Sequence, residues 1–276
     1  MNIRKAHHQD LEVLKKLWYE CFLEHDSKES IDYYFAYNFN LSNTFVLIED
    51  HEIRCSLQLN QHQLIYQEKQ IEVSFVVGVA TFIKDRHQGY MKSLLNYALN
   101  YARDILKQDF MILQAYNWDL YRPFGFQNAY YKNIVSLTKK DLVLYETSSL
   151  IKPDEKDLLK IYQAYTLNLN GFKVRDLPYF RNLIIMNEID NLTIVCSQKA
   201  YAFYKIDHQK ALINECAYYS ATDLLALLNN IEAEYYEFST DLINFKITKK
   251  ELFMMVKSFN NKTFALNNNN YISEWI

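Results

Sequence analysis

The sequence predicts an α+β fold in two successive domains, each with a mixed, mostly antiparallel sheet flanked by helices. Three observations lead to this prediction. Helical periodicity dominates the first forty residues, alternating apolar residues follow, and a strand–helix–strand order then extends to residue 137. A polar break at 152–156 precedes a second helical period. We therefore predict one domain over residues 1–147 and another over 148–276.

The elements of the first half follow from local patterns. Apolar residues recur at helical spacing from Leu11 to Phe22, and Asp10 is placed to cap that helix. Further helices are expected over 30–37 and 91–106. Strands are predicted at Ile3 and over 44–48, 53–59, 71–79, 110–113 and 134–137.

Composition suits a folded protein with a large core. Half of the 276 residues are hydrophobic and 16% are aromatic, which excludes a disordered chain. The net charge of -3 gives no reason to expect nucleic acid or a membrane as a partner. No metal-binding cluster of Cys or His occurs, so no metal site is predicted. Four scattered cysteines, a polar N-terminus and the lack of a long apolar run predict a cytoplasmic protein.

One stretch of the first half has the pattern of an anion-binding junction. An alternating apolar strand ends near Thr81, a short polar loop follows, and an amphipathic helix begins just after Gly89. Such a junction directs backbone N–H groups and the positive end of a helix dipole at one point, which suits a diphosphate. Arg86 adds a fixed positive charge. The chain has only four glycines, and three of them, Gly78, Gly89 and Gly125, lie in or shortly after this junction.

The wider motif resembles a known cofactor loop. Gly78-Val79-Ala80-Thr81, then Arg86-His87-Gln88-Gly89-Tyr90-Met91, then Leu94-Leu95 is similar to the coenzyme A pyrophosphate loop of GNAT-superfamily N-acetyltransferases. Tyr121-Arg122-Pro123-Phe124-Gly125-Phe126 resembles the Tyr-x-x-Phe-Gly-Phe signature of that superfamily. Both motifs look most like the Eis-type (enhanced intracellular survival) branch, without its C-terminal sterol-carrier-protein-like domain. His87 stands at a common glycine, and Met91 at a usual glycine or alanine.

The resemblance implies a fold of tandem GNAT-like domains and transfer of an acetyl group from acetyl-CoA to a primary amine. Backbone N–H groups of the loop would hold the diphosphate; its residues are Arg86, His87, Gln88, Gly89, Tyr90 and Met91. The strand with Val79 and Thr81 would leave main-chain groups free for the pantetheine, with the Val79 N–H as an oxyanion donor. Tyr121 resembles the tyrosine that protonates the departing thiolate. A small molecule, a peptide or a protein lysine would be the acceptor.

In the second half, the run from Gly171 to Phe180 resembles the start of the second GNAT-like domain of the Eis-type branch. This half has one glycine and no Arg-x-x-Gly loop. We therefore expect a degenerate domain that closes the substrate cleft without binding a cofactor of its own. The abundance of Tyr and Phe in both halves predicts a possible homo-oligomer.

Two questions stay open at the level of sequence. The first is whether the chain is an active enzyme or a catalytically silent, GNAT-like protein that binds acyl-CoA or regulates a partner. The second is the general base. Glu72, on the strand that leads to the loop, could act through a water molecule or could simply face solvent.

Overall fold

The computed structural model describes residues 1–241, 245–265 and 271–272. Within them the strands are β1 Asn2–Lys5, β2 Thr44–Glu49, β3 Glu52–Tyr66, β4 Lys69–Thr81, β5 Phe110–Leu113, β6 Gln127–Thr138, β7 Phe172–Lys173, β8 Thr193–Cys196, β9 Ala200–Asp207, β10 Lys210–Tyr218, β11 Tyr235–Ser239 and β12 Lys249–Ser258. The α-helices are α1 Leu11–Phe22, α2 Lys28–Tyr33, α3 Tyr90–Asn100, α4 Lys139–Leu142, α5 Glu155–Thr166, α6 Leu177–Ile189 and α7 Ala221–Leu228.

The strands of the described residues form one twelve-stranded sheet. Its order is β1-β2-β3-β4-β5-β12-β6-β11-β10-β9-β8, and β7 pairs with β3 outside this path. Two of the pairs, β4 with β5 and β10 with β11, are parallel, whereas the other described pairs are antiparallel. The predicted α+β class with a mostly antiparallel sheet is confirmed.

Helices cover both faces of the first half of the sheet. Alternate residues of β4 point to opposite faces, as the period of a strand requires. Phe75 and Val77 pack with Trp18 of α1 in one buried cluster. On the other face, Val76 packs with Leu94 of α3 in a second cluster. The site described below lies where this sheet opens between the two helical layers.

The second half repeats the order of the first around its own core. The order β9–β10–α7–β11 parallels β3–β4–α3–β5, with one parallel pair in each. A fully buried ion pair lies in this core, where Arg175 donates to Glu215 Oε1 at 2.7 Å and to Oε2 at 3.1 Å. The Tyr201 hydroxyl donates to the same Oε1 at 2.8 Å. Since both charges are buried together, each needs the other to offset its desolvation.

The two halves interleave. β12 comes from the end of the described chain, yet it lies between β5 and β6 of the first half. Side chains also join α2 to α6 and to the residue after it: the Tyr33 hydroxyl donates to Asn182 Oδ1 of α6, and the Ser30 hydroxyl donates to Asp190 Oδ1, each at 2.5 Å. The division between residues 147 and 148 stays a prediction.

Several predicted elements need adjustment. Asp10 directly precedes α1, but its side chain makes no capping hydrogen bond to that helix. Instead, its carboxylate accepts from Arg4 at 2.6 Å and from the His7 N–H at 2.7 Å. The predicted helices over 30–37 and 91–106 each end in a wider π-helical turn, at 34–38 and 101–105. None of the helices in the described ranges is long and apolar enough to cross a membrane.

Candidate active site

A cleft opens where β4 and β5 part. The two strands pair in parallel from Ser74 with Met111 to Val76 with Leu113. β5 ends there, whereas β4 continues to Thr81. On the side of β5, the main-chain N–H and C=O groups beyond Val76 therefore face open space instead of a partner strand. The resulting cleft has a cavity volume of about 230 Å³ and is bounded by α1, β4 and the segment that follows β5.

A bulge turns β4 at this point. Ser56 of β3 lies opposite Ala80, but Gln58 lies opposite Val77. Two residues of β4, Gly78 and Val79, therefore face a single residue of β3, which defines a β-bulge. Both bulge residues line the cleft.

The loop that follows β4 is held by charged side chains. A short 3₁₀ turn covers Ile83–Asp85. Its first N–H, that of Ile83, donates to Glu20 Oε1 of α1 at 2.6 Å. At its end, Asp85 accepts from Arg54 of β3 at 3.3 Å. These contacts fix the loop between α1 and the sheet.

Left-handed residues complete the loop and begin α3. His87 has φ +66° and Gly89 has φ +82°. Gly89 is the N-cap of α3, and as a glycine it has no side chain to accept a hydrogen bond from the first turn of that helix. That turn also lacks an acidic residue. Its N–H groups are thus available to an anion, and a Cβ at Gly89 would meet no atom within 4 Å.

Helix α7, at the equivalent position of the second half, is different. The Ser220 side chain caps it by accepting a hydrogen bond from the Asp223 N–H at 3.2 Å. Asp223 also places a negative charge in the first turn. Because α7 already has a side-chain cap and an acidic residue where α3 has neither, its N-terminus does not suit a diphosphate.

The side chains of the predicted loop residues point in several directions. The Arg86 guanidinium donates to Cys21 Sγ at 3.8 Å and to the Thr81 carbonyl at 3.4 Å. The Thr81 hydroxyl donates to Cys55 Sγ at 3.2 Å, so it does not face the cleft. The Tyr90 hydroxyl donates to Glu49 of β2.

The remaining predicted loop residues divide into two groups. His87 and Gln88 are exposed. Met91 packs against the buried cluster beneath α3. Among the predicted loop residues, Arg86 therefore supplies a positively charged side chain, whereas the others can offer main-chain groups to a ligand.

Tyr121 lies in the wall of the cleft, together with Val79. It sits between two 3₁₀ turns, Trp118–Leu120 and Arg122–Phe124, and Gly125 ends the second turn with φ +82°. Burial raises the pKa of the Tyr121 hydroxyl to about 12, with a smaller contribution from Cys55. Among the described residues, no hydrogen bond commits this hydroxyl. Tyr121 is thus a protonated, uncommitted phenol beside the β4 bulge.

Asp26 is a cleft residue that the sequence analysis missed. It follows the end of α1 and lines the cleft with Trp18 and Phe22. Burial raises the pKa of its carboxyl group, Asp190 raises it further, and His25 opposes the shift. Within a run of polar residues, nothing local distinguishes Asp26 from a surface carboxylate. Glu72, which the sequence offered as a possible base, is exposed and lies outside the cleft lining.

No group of His, Cys, Asp or Glu within residues 1–241, 245–265 and 271–272 could hold a metal ion. The four cysteines are free thiols. The cleft thus offers main-chain N–H groups, the phenols of Tyr116 and Tyr121, the amides of Gln114 and Asn117, and the Asp26 carboxylate.

A sheet that splits beside an uncapped helix N-terminus is the arrangement of the GNAT fold. The acetyltransferase (GNAT) domain family matches residues 2–129. No curated protein matches the sequence significantly.

Solved structures resemble nearly the whole chain. A conserved protein of Enterococcus faecalis V583, described as a probable N-acyltransferase, has a TM-score of 0.75 at 14% identity, over 93% of this chain and 72% of that one. A GCN5-related N-acetyltransferase from Anabaena variabilis has a TM-score of 0.75 at 14% identity, over 94% and 73%. Eis1 from Mycobacterium abscessus has a TM-score of 0.70 at 11% identity, over 94% and 74%. At these identities the likeness shows the fold.

Proposed function

We propose that this protein transfers an acetyl group from acetyl-CoA to a primary amine. One observation carries the proposal: the cleft between β4 and β5 brings an uncommitted phenol, Tyr121, next to a main-chain bulge at Gly78 and Val79. The uncapped N-terminus of α3 follows that bulge by eleven residues. If acetyl-CoA enters this gap, its diphosphate, its thioester carbonyl and its sulfur would each contact a different group of the chain.

The loop at 86–91 would bind the diphosphate of acetyl-CoA. The first N–H groups of α3 have no side-chain cap, and the helix dipole favours an anion there. Arg86 would contribute a charge-assisted hydrogen bond. Its contacts in the structure, at 3.4 and 3.8 Å, are long, so exchanging them for a phosphate oxygen costs little.

The bulge would bind the thioester carbonyl. At a bulge the strand loses regular pairing, and β5 is no longer alongside, so the Val79 N–H can serve a ligand. Such a donor is stronger in a site from which water is excluded, and removing one costs about 3–4 kcal/mol of transition-state stabilisation. In this account Val79 is the oxyanion donor and Thr81 contributes main-chain groups only.

Tyr121 would supply the proton for sulfur. The amine nitrogen forms a bond to the acyl carbon, the carbon–sulfur bond breaks, and the sulfur takes the phenolic proton. An ammonium substrate loses two protons, of which one restores Tyr121 and one is released. The Tyr121 pKa of about 12 exceeds the ordinary thiol value of roughly 8.5. The same dry surroundings also raise the pKa of the departing thiol, which reduces this mismatch.

Asp26 would face the acceptor amine. It lies on the α1 side of the cleft, whereas Tyr121 and Met91 contact the buried cluster under α3. Cofactor and acceptor would therefore approach from opposite faces of the sheet. The Asp26 carboxylate can hold a cationic amine, and its raised pKa makes it a better acceptor for the amine's proton. The second half contributes here, because Asp190, which directly follows α6, lies close enough to shift the Asp26 pKa.

A thiol-release assay with acetyl-CoA and a panel of primary amines tests this function. We expect amine-dependent release of coenzyme A and an acetylated amine in the product. Calorimetric binding of acetyl-CoA without thiol release on any amine would instead identify a silent acyl-CoA-binding protein. A protein that neither binds acetyl-CoA nor releases coenzyme A would contradict the proposed cofactor site.

A further inference from the structure

The walls of the cleft differ from those expected for a heavily charged acceptor. On the α1 side, Trp18 and Phe22 meet edge to face with ring centroids 5.1 Å apart. Tyr116 and Leu120 bound the opening on the side of β5. Such walls bind a substrate by burying its apolar surface, and the amides of Gln114 and Asn117 add neutral polar groups to the lining but no charge.

The opening carries a flat aromatic rim. Tyr116 stacks on His25 with ring centroids 4.2 Å apart and an interplanar angle of 22°. Tyr116 is 70% exposed even so, which is a high fraction for a large aromatic residue. A planar group that enters the cleft could cover this ring and gain contact area at little entropic cost.

Charge in the cleft is limited to one acidic group. Asp26 is the only Asp or Glu among the described residues that line the cleft, and none of these lining residues is Lys or Arg. Asp190 lies outside the lining, is exposed and accepts a hydrogen bond from Ser30 at 2.5 Å. One carboxylate can offset one ammonium, so a second or third ammonium would be desolvated without a partner.

We infer that the acceptor is an arylalkylamine, a primary amine with one positive charge on an aromatic body; this inference rests on the proposed acetyl transfer. Asp26 holds the ammonium end, and the rings of Trp18, Phe22 and Tyr116 contact the aromatic body. Polycationic sugars and polyamines fit less well, because the cleft offers them one carboxylate and apolar walls. An alkylamine without a ring can pair with the Asp26 carboxylate but does not cover the aromatic walls.

The test compares four amines in the thiol-release assay with acetyl-CoA: 2-phenylethylamine, butylamine, spermidine and kanamycin. We expect kcat/KM for 2-phenylethylamine to exceed that for butylamine about 10-fold, from the apolar area of one ring. Equal values for the two monoamines, or a preference for spermidine or kanamycin, would overturn the inference.

Paired variants locate the effect. Tyr116→Ala should lower the ratio of kcat/KM between 2-phenylethylamine and butylamine at least about 3-fold, whereas Tyr37→Ala should leave the ratio unchanged. Tyr37 is a suitable control because it is 73% exposed and lies outside the cleft lining. An unchanged ratio in Tyr116→Ala would contradict the proposed aromatic contact.

Direct binding separates this inference from the proposed function. Titration of 2-phenylethylamine and butylamine into the protein with coenzyme A, followed by calorimetry, needs no turnover. If no amine is acetylated but 2-phenylethylamine still binds more tightly and Asp26→Asn weakens that binding, the acetyl-transfer proposal fails and the ligand class stands. If acetylation occurs without selectivity for the ring, the function stands and the ligand class is wrong.

Discussion

Gly78 and Trp18 are so close that a Cβ added at Gly78 would lie 2.2 Å from Cζ2 of Trp18. Gly78 also has φ +59°, a conformation that favours glycine. Trp18 in turn stacks on Tyr34, with ring centroids 4.8 Å apart and an interplanar angle of 17°. The bulge of β4 therefore has its shape because the indole of α1 lies directly against it, and the cleft wall depends on a residue without a side chain.

Replacement of Gly78 should disturb stability and site together. Gly78→Ala combines overpacking against Trp18 with a left-handed alanine, so we expect a loss of about 3 kcal/mol or more in the free energy of unfolding. Urea denaturation measures this loss. Gly125→Ala is the matched control. Gly125 also has a positive φ, of +82°, but a Cβ added there would meet only the flexible end of the Lys257 side chain. A loss for Gly78→Ala no larger than that of the control would contradict the tight contact.

The loop that precedes α3 contains a strained residue. His87 adopts φ +66° without being glycine. Relief of this strain is worth about 1–2 kcal/mol, and the greater flexibility of an unfolded glycine offsets about half of it. We therefore expect His87→Gly to leave stability unchanged or to raise it by up to about 1 kcal/mol. Lys160→Gly, in the exposed interior of α5, should cost about 0.8 kcal/mol in the same thermal unfolding experiment. Similar losses of stability in His87→Gly and Lys160→Gly would argue against backbone strain at His87.

Arg86 should contribute to cofactor affinity. Arg86→Ala removes a charge next to the uncapped N-terminus of α3, so acetyl-CoA binding should weaken by about 1–3 kcal/mol. Isothermal calorimetry with acetyl-CoA gives the value. Arg103→Ala is the control, since Arg103 lies beyond the other end of α3 and pairs with Asp104 at 2.7 Å. If both variants lost the same affinity, general electrostatics would explain the effect and the site would be wrong.

Asp241 should make stability depend on pH. Burial raises its pKa to about 7, while a hydrogen bond from Asn133 at 2.8 Å and the charge of Lys250 partly oppose the shift. The pKa of Asp241 is higher in the folded state than in the unfolded state. The folded state is therefore favoured while this carboxyl group is protonated, and that contribution to stability is lost as pH rises from about 4 to about 7.

The Asp241→Asn variant removes this loss. It should match the wild type near pH 4 and be more stable at pH 8 by roughly 2–4 kcal/mol. Chemical denaturation at a series of pH values measures the difference, with Asp207→Asn as an exposed control. A difference between Asp241→Asn and wild type that does not grow with pH would refute the assignment.

Local patterns in the sequence predict much of the fold and the cofactor loop. The strand–loop–helix junction at Gly89 and the strand at 110–113 depend on residues close in sequence, and the structure confirms both. β12 was not predicted, because its place between β5 and β6 joins residues more than 110 positions apart. Asp26 was missed for a similar reason: only the fold brings it to Trp18 and Tyr121. Asp10 was assigned to a cap because local sequence does not show that Arg4 binds its carboxylate.

The most direct test of the account is the turnover number of Tyr121→Phe. Phenylalanine keeps the ring against Phe126, whose centroid lies 6.1 Å away, and removes only the phenolic proton. The thiol-release assay should show kcat reduced about 10²–10⁴-fold, with acetyl-CoA affinity nearly unchanged. Tyr235→Phe, with an exposed hydroxyl on β11, should keep the wild-type rate. A Tyr121→Phe enzyme that turned over as fast as wild type would contradict the assignment of Tyr121 as the general acid.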